Sequence, residues 1–180
     1  MRTGHDMRKA KERGFTLMES LVATLVLLTG VVGIAQVVPF AVTANNGNRR
    51  DSTALVIAQR EMSQFLEQSL LSAAPTFTDA LGNVCNLGDP TQPGVAVGSP
   101  VVVIGNRPSI NFNAGKVAGY NFTTAADPDD PYSARYDVRW AVITGGNGTA
   151  TSYRRVILGA RMVNGNGAFL PVTLDSMVQK

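Results

Sequence analysis

The feature that most constrains this chain is a long apolar segment near its N-terminus. From Phe15 to Ala44 the only charged residue is Glu19. The 24 residues from Phe15 to Val38 would form roughly 36 Å of helix at about 1.5 Å per residue. That length covers a hydrocarbon core of about 30 Å with some tilt. The segment therefore predicts one membrane-spanning helix.

The single carboxylate of this segment needs an explanation. A carboxylate at the centre of a bilayer costs on the order of 3 kcal/mol on insertion scales, and less near the interface. One interpretation is that Glu19 lies at the level of the lipid headgroups and has no further role. The other is that Glu19 has a positively charged partner, which would also account for its distance of four residues from the Gly14–Phe15 junction.

A short basic segment precedes the apolar one. Residues 1–14 carry five basic and two acidic side chains, so their net charge is +3 (5 − 2), which equals the formal net charge of +3 of the whole chain. The part after Gly14 is balanced, and we therefore predict no nucleic-acid binding by it. Basic segments beside a membrane helix tend to stay in the cytoplasm. We therefore predict that residues 1–14 are cytoplasmic and that the rest of the chain is translocated.

The junction reads RGFTLMESLVA over residues 13–23. A basic leader, a glycine, a phenylalanine and a glutamate four residues later in an apolar helix resemble the class III signal of type IV pilins and of the related type II secretion pseudopilins. The resemblance implies that a membrane prepilin peptidase cuts between Gly14 and Phe15 and methylates the new Phe15 amine. Glu19 would then meet the Phe15 amine of a neighbouring subunit.

The resemblance also implies partners and a location. PilV-type minor pilins are the nearest kind, because residues 54–62 (ALVIAQREM) look like the second half of their long helix. The implied partners are the prepilin peptidase, other pilin or minor pilin subunits, the inner-membrane assembly machinery and, before assembly, membrane lipid. The chain would lie in the inner membrane with its N-terminus cytoplasmic and its C-terminal head periplasmic, and then in a pilus.

Charge pairing between subunits has a clear physical basis. Cleavage after Gly14 would leave a positive amine on Phe15 close to the Glu19 carboxylate. Breaking a buried ion pair costs roughly 3–5 kcal/mol, and a head-to-tail contact that does not close builds a filament. Glu19 would therefore set the axial register of assembly.

Three residues interrupt the apolar segment, namely Gly30, Gly33 and Pro39. Glycine costs about 1 kcal/mol relative to alanine inside a helix, and proline removes a backbone hydrogen bond. They allow either close helix packing in the membrane or a helix that bends when it leaves the bilayer for a fibre.

The predicted fold class is α+β, with a long N-terminal helix packed on a C-terminal antiparallel sheet of about three or more strands. A break or kink at Asn45–Asn48 is expected, followed by an N-cap at Asp51 or Ser52 and an amphipathic helix that ends near Ala73. Its predicted core face consists of Leu55, Ala58, Met62, Phe65, Leu66 and Ser69.

The predicted chain has five segments. They are a leader over 1–14, a transmembrane and assembly helix over 15–44, the amphipathic half of the long helix over 45–73, a loop-rich variable region over 74–134 and the sheet of the globular head over 135–180.

Alternating apolar residues predict the strands. Short pieces are expected at Val101–Ile104, Ile110–Phe112 and Tyr120–Thr123. The last third predicts a three-stranded meander over 136–142, 153–163 and 169–178, with a flexible turn over 144–152 and an Asn-Gly hairpin over 164–167. Two core faces are predicted, one of Tyr136, Val138, Trp140 and Val142, the other of Val156, Leu158, Ala160 and Met162.

Residues for catalysis or for cofactors are scarce. The only histidine, His5, lies in the leader, so the cut chain has no Ser-His or Cys-His pair. Cys85 is the only cysteine and has no basic neighbour in sequence. Asp127–Asp130 could supply oxygen ligands to Ca²⁺, but the turn lacks the glycine and glutamate of an EF-hand loop and predicts a solvated turn instead. We predict no enzyme, no cofactor and no metal.

Two alternatives to a minor pilin remain. A type II secretion pseudopilin would be processed in the same way, and the large loop-rich middle favours the pilus. A secreted binding module with an ordinary signal peptide would be cut after Ala44 and would begin at Asn45, although the apolar segment is much longer than the usual 7–15 residues. The N-terminal residue of the mature protein separates this module from both pilin-like alternatives.

Overall fold

The structure, a computed structural model, describes residues 15–70, 75–147, 151–163 and 171–179. These residues contain one helix and nine strands in an α+β layout. The chain falls into two compact units, Met1–Asn45 and Asn46–Lys180. The elements are α1 (Leu17–Glu67), β1 (Thr76–Thr78), β2 (Val84–Asn86), β3 (Ala96–Gly98), β4 (Val101–Ile104), β5 (Arg107–Ile110), β6 (Asn121–Ala125), β7 (Arg135–Gly146), β8 (Thr151–Val163) and β9 (Val172–Gln179).

Helix α1 continues through Asn45–Asn48, so a break there is wrong, whereas a kink stays a prediction. Asparagine and glycine only weaken a helix, by at most about 1 kcal/mol each, and this stretch has no proline. The hydroxyls of Ser52 and Thr53 donate to Asn48 O and Arg49 O, one turn back in the same helix. Ser52 and Asp51 are consequently interior residues and not N-caps. The helix ends at Glu67, before the predicted end near Ala73.

The buried face of α1 is rotated relative to the prediction. Ala58, Met62 and Phe65 are buried as predicted, whereas Leu55 is 37% exposed. Glu61, which the prediction placed outside the core face, is only 1% exposed. The observed face follows strict 3–4 spacing and consists of Ala54, Ile57, Ala58, Glu61, Met62 and Phe65.

The main sheet has five antiparallel strands, in the order β3-β7-β8-β9 with β6 also paired to β7. The meander of β7, β8 and β9 confirms the prediction for the last third of the chain. The two predicted core faces are also confirmed. Their residues pack with the buried residues of α1 in the main hydrophobic core.

The opposite face of this sheet is covered as well, which the sequence pattern did not indicate. A second core joins Ile110 and Phe112 to Ala141 of β7 and Ile157 of β8. Strands β4 and β5 form the hairpin that leads into it, and its turn residues Gly105 and Asn106 have φ of +56° and +63°. Positive φ at both central residues is the type I′ geometry that suits a two-residue hairpin.

Several strand boundaries differ from the predicted ones. Strand β4 matches its prediction, whereas β5 ends at Ile110 where the prediction began, and β6 runs over Asn121–Ala125. Strand β7 extends to Gly146 and β8 starts at Thr151, so less of 144–152 is a turn than predicted. Strand β9 begins after Pro171 and pairs only with β8 among the described strands. The predicted Asn-Gly hairpin at 164–167 lies outside the described residues.

Candidate assembly site at the start of the apolar helix

Thr16 defines the start of α1. The Glu19 N–H donates to Thr16 Oγ1 at 3.3 Å and to Thr16 O at 3.0 Å. Thr16 is therefore the N-cap, and Glu19 is the third residue of the helix. The pattern Thr-x-x-Glu is the sequence signature of a capping box, a signal that the sequence analysis missed.

Glu19 lies in the first turn of α1. The helix dipole favours a carboxylate there by about 0.3–1 kcal/mol. Within the part of the chain that the structure describes, the Glu19 side chain makes no hydrogen bond and no ion pair, and it is exposed. Glu19 therefore has a local structural role at the helix start and a carboxylate that remains open to an external cation.

Phe15 directly precedes the N-cap. Its side chain is 72% exposed, and Leu17 beside it is 84% exposed. Gly14 lies outside the described residues, so the Gly14–Phe15 junction itself has no described geometry. The structure thus places two of the three predicted processing and assembly residues, Phe15 and Glu19, within one turn of the helix start.

The surface of the first half of α1 is mostly apolar. The large hydrophobic residues from Leu17 to Val42 are each at least 54% exposed. A contiguous apolar surface of this extent marks a site for membrane or protein contact. By length and composition, α1 could span a membrane.

A shallow groove of about 460 Å³ runs along this surface, lined by Leu17, Ser20, Leu21, Thr24, Leu25 and Leu28. Thr24 Oγ1 donates to Ser20 O at 2.7 Å, so this hydroxyl is satisfied within the helix. Small residues four apart allow the backbone of a second helix to approach closely. The groove gives α1 a face suited to helix packing.

The three predicted flexibility residues lie inside regular helix. Gly30 and Gly33 have open space where a side chain would begin. Pro39 does not end α1, and its carbonyl accepts a hydrogen bond from Thr43 Oγ1 at 2.8 Å. Bending at these residues stays a prediction.

The C-terminal unit holds a buried acidic cluster that the sequence did not indicate. The Glu61 carboxylate accepts hydrogen bonds from Arg60 Nε at 2.8 Å and from Gln64 Nε2 at 3.1 Å. Gln64 Oε1 in turn accepts from Ala80 N–H at 2.7 Å. Burial raises the pKa of Glu61, the charge of Asp79 adds to this, and Arg60 opposes it. The cluster joins α1 to the loop between β1 and β2.

The sequence also singled out Cys85 as a thiol and the turn over 127–130 as a source of oxygen ligands. Cys85 is fully buried, and burial raises its pKa to about 12, so its thiol is protonated and inert at neutral pH. Asp127 and Asp130 accept hydrogen bonds from the backbone of their own turn. Among the described residues, no group of three potential ligands could hold a metal ion.

Comparison of the chain with protein-family models, with curated proteins and with solved structures found no match. The described residues form an α+β chain with one N-terminal apolar helix that could span a membrane by its length and composition. Any more specific function must be argued from the residues of the chain itself.

Proposed function

We propose that this chain is a minor type IV pilin, a structural subunit that prepilin peptidase processes and that is incorporated into a pilus or primes its assembly. Cleavage would fall between Gly14 and Phe15. Phe15 would then carry the methylated amine and Glu19 would receive the amine of a neighbouring subunit. The C-terminal unit, with α1 residues packed on an antiparallel sheet, would form the globular head of a pilin-like fold.

One observation carries this proposal: an exposed carboxylate stands four residues after a Gly-Phe junction, at the start of a helix with an exposed apolar surface. A lone carboxylate is costly in a membrane, and its favourable interaction with the helix dipole is worth less than that cost deep in the bilayer. Pairing with an amine from a second subunit offsets the cost for both charges. Head-to-tail repetition of that contact would generate a fibre.

A type II secretion pseudopilin is the second candidate, because it would use the same junction and the same pairing. The region 74–134 favours the pilus. Among the residues that the structure describes, it contributes six short strands, β1–β6, and most of the exposed loops of the C-terminal unit. Such loops are where partner surfaces are usually built.

Processing by a prepilin peptidase tests the proposal. The full chain is expressed in membranes with and without the peptidase, beside the variant Gly14→Ile, which places a bulky side chain at the junction. We expect the wild-type chain to lose its leader only when the peptidase is present, and the variant to stay uncut. Cleavage of both chains at the same rate, or of neither, would refute the assignment.

A control variant separates a specific loss of cleavage from a general failure of insertion. Gly30→Ile changes a glycine of the same helix with open space around it, and it leaves the junction intact. We expect this variant to be cut like the wild-type chain.

A further inference from the structure

The bond that the peptidase would cut lies just before helix α1. The helix begins at Leu17, and neither Phe15 nor Thr16 belongs to a helix or a strand. These two residues separate the first helical residue from the bond between Gly14 and Phe15. Proteolysis is concentrated in exposed segments outside helices and strands. The residue at which α1 begins therefore bears on whether the bond can be cut.

Thr16 fixes the start of α1 with its own side chain. Its Oγ1 accepts a hydrogen bond from Glu19 N–H at 3.3 Å, and its carbonyl oxygen accepts one from Ser20 N–H at 3.2 Å. This is the geometry of an N-cap, in which the side chain satisfies a backbone donor that has no partner inside the helix. In a longer helix Glu19 N–H would bond to the carbonyl of Phe15 instead. The Thr16 hydroxyl thus favours a helix that begins at Leu17.

The sequence before the junction would support a longer helix. Residues 7–13 read MRKAKER, and methionine, arginine, lysine, alanine and glutamate are among the residues with the highest helix propensity. Gly14 weakens a helix but need not end one, since Gly30 and Gly33 both lie inside α1. The cap at Thr16 is consequently the second local feature that opposes a helix through the junction.

We propose that Thr16 is a positioning residue for the cleavage: by beginning α1 at Leu17 it keeps the Gly14–Phe15 bond outside the helix, where the peptidase can bind it. Hydrolysis of this amide bond consumes one water molecule and leaves a carboxyl group on Gly14 and an amine on Phe15. The inference rests on the proposed processing and adds to it a role for Thr16. It requires no contact between the Thr16 hydroxyl and the peptidase.

Cleavage rates of variants with good and poor caps test the proposal, on the full chain in membranes that contain the peptidase. Serine and asparagine cap helices at least as well as threonine, whereas alanine and valine cap them poorly. We expect Thr16→Ser and Thr16→Asn to be cut at the wild-type rate or faster. Thr16→Val keeps the branched shape of threonine without its hydroxyl. We expect it and Thr16→Ala to be cut roughly three- to tenfold more slowly.

Thr24→Val is the matched control. The Thr24 hydroxyl also donates to the backbone of α1, to Ser20 O at 2.7 Å, but it lies inside the helix, and its loss should leave the cleavage rate unchanged. A second measurement follows the helix start itself. In detergent, the Cα chemical shift of Phe15 should move towards helical values in Thr16→Val and stay at the wild-type value in Thr16→Ser.

The outcomes separate this inference from the proposed processing. A wild-type chain that the peptidase does not cut would overturn both. If the wild-type chain is cut and Thr16→Val is cut equally fast, only the role of Thr16 is overturned. Slow cleavage of Thr16→Asn beside fast cleavage of Thr16→Ser would also overturn it, because the peptidase would then recognise the hydroxyl directly. Equal slowing of Thr16→Val and Thr24→Val would overturn it as well, since the effect would not depend on the cap.

Discussion

The ring of Phe65 on α1 contacts the ring of Trp140 on β7 with centroids 5.3 Å apart and planes inclined at 60°. Both side chains are buried, and Trp140 is completely so. Its Nε1–H donates to Asn86 O at 3.0 Å, which fixes the indole between the helix and the end of β2. This edge-to-face contact joins the helical layer of the C-terminal unit to its sheet.

Replacement of Trp140 tests how much this contact contributes to stability. We expect Trp140→Ala to lower the free energy of unfolding by about 3–5 kcal/mol, because a large buried side chain is replaced by a cavity. Urea denaturation of the full chain in detergent, followed by circular dichroism, measures the change. Met177→Ala, at a side chain that is 53% exposed on β9, is the control and should cost about 0.5 kcal/mol or less. Equal effects of the two substitutions would contradict the described core.

The buried carboxylate of Glu61 predicts a pH dependence of stability. Burial raises its pKa above the ordinary value of 4.5, so the folded chain binds a proton more tightly than the unfolded chain does. The contribution of Glu61 to stability is therefore greatest below about pH 4.5 and is lost as the pH rises through the folded-state pKa. Glu61→Gln removes this titration and nearly preserves the side-chain shape.

Measurement of unfolding free energies from acidic to neutral pH checks this expectation. The variant should gain stability relative to wild type as the pH rises. Glu67→Gln, at an exposed residue of the same helix, reports the effect of losing one surface carboxylate. A constant difference between Glu61→Gln and wild type across the range, or a difference of opposite sign, would show that the Glu61 titration does not act on folding.

Glu19 has two possible contributions, the helix start and the contact between subunits, and two variants separate them. Glu19→Val removes the carboxylate, whereas Thr16→Ala removes the N-cap hydroxyl at a cost of about 1 kcal/mol and keeps the carboxylate. Loss of a buried ion pair costs roughly 3–5 kcal/mol, so Glu19→Val should reduce incorporation into fibres by at least about tenfold. Quantitative blotting of sheared fibres against total envelope protein measures incorporation.

The comparison should include only chains that have lost the leader, so that processing does not influence the result. We expect Thr16→Ala to assemble far better than Glu19→Val. If the two variants assemble equally well, Glu19 acts only as a helix-start residue.

The sequence predicted those parts of the fold that depend on local patterns. The alternation of apolar and polar residues identified β7 and β8 and their buried faces, which contain Trp140 and Leu158. It did so because successive side chains of a strand point to opposite faces of the sheet. It did not indicate burial of the other face, which depends on Ile110 and Phe112 from a distant hairpin. The buried face of the helix was predicted only in part: Ala58, Met62 and Phe65 are buried as expected. The sequence did not indicate burial of Glu61, whose partner Gln64 accepts a hydrogen bond from Ala80 N–H in a loop 16 residues further along the chain.

The candidate assembly site could be proposed from the sequence because its residues lie within one stretch of chain. The structure adds the cap formed by Thr16, which the sequence pattern did not suggest to us, and the assembly roles of Phe15 and Glu19 stay predictions. The cleft lined by Arg49, Ala126, Ala134 and Tyr136 was not predictable, because the last three residues are separated from Arg49 by more than seventy residues of chain. Only the fold brings them together.

Cleavage between Gly14 and Phe15 would expose an aromatic amine at the N-terminus of the mature chain. Mass spectrometry of the N-terminal peptide of the protein from cell envelopes measures this. We expect a chain that begins at Phe15 with one added methyl group on the amine. A chain that retains residues 1–14, or one that begins at Asn45, would refute the proposed processing.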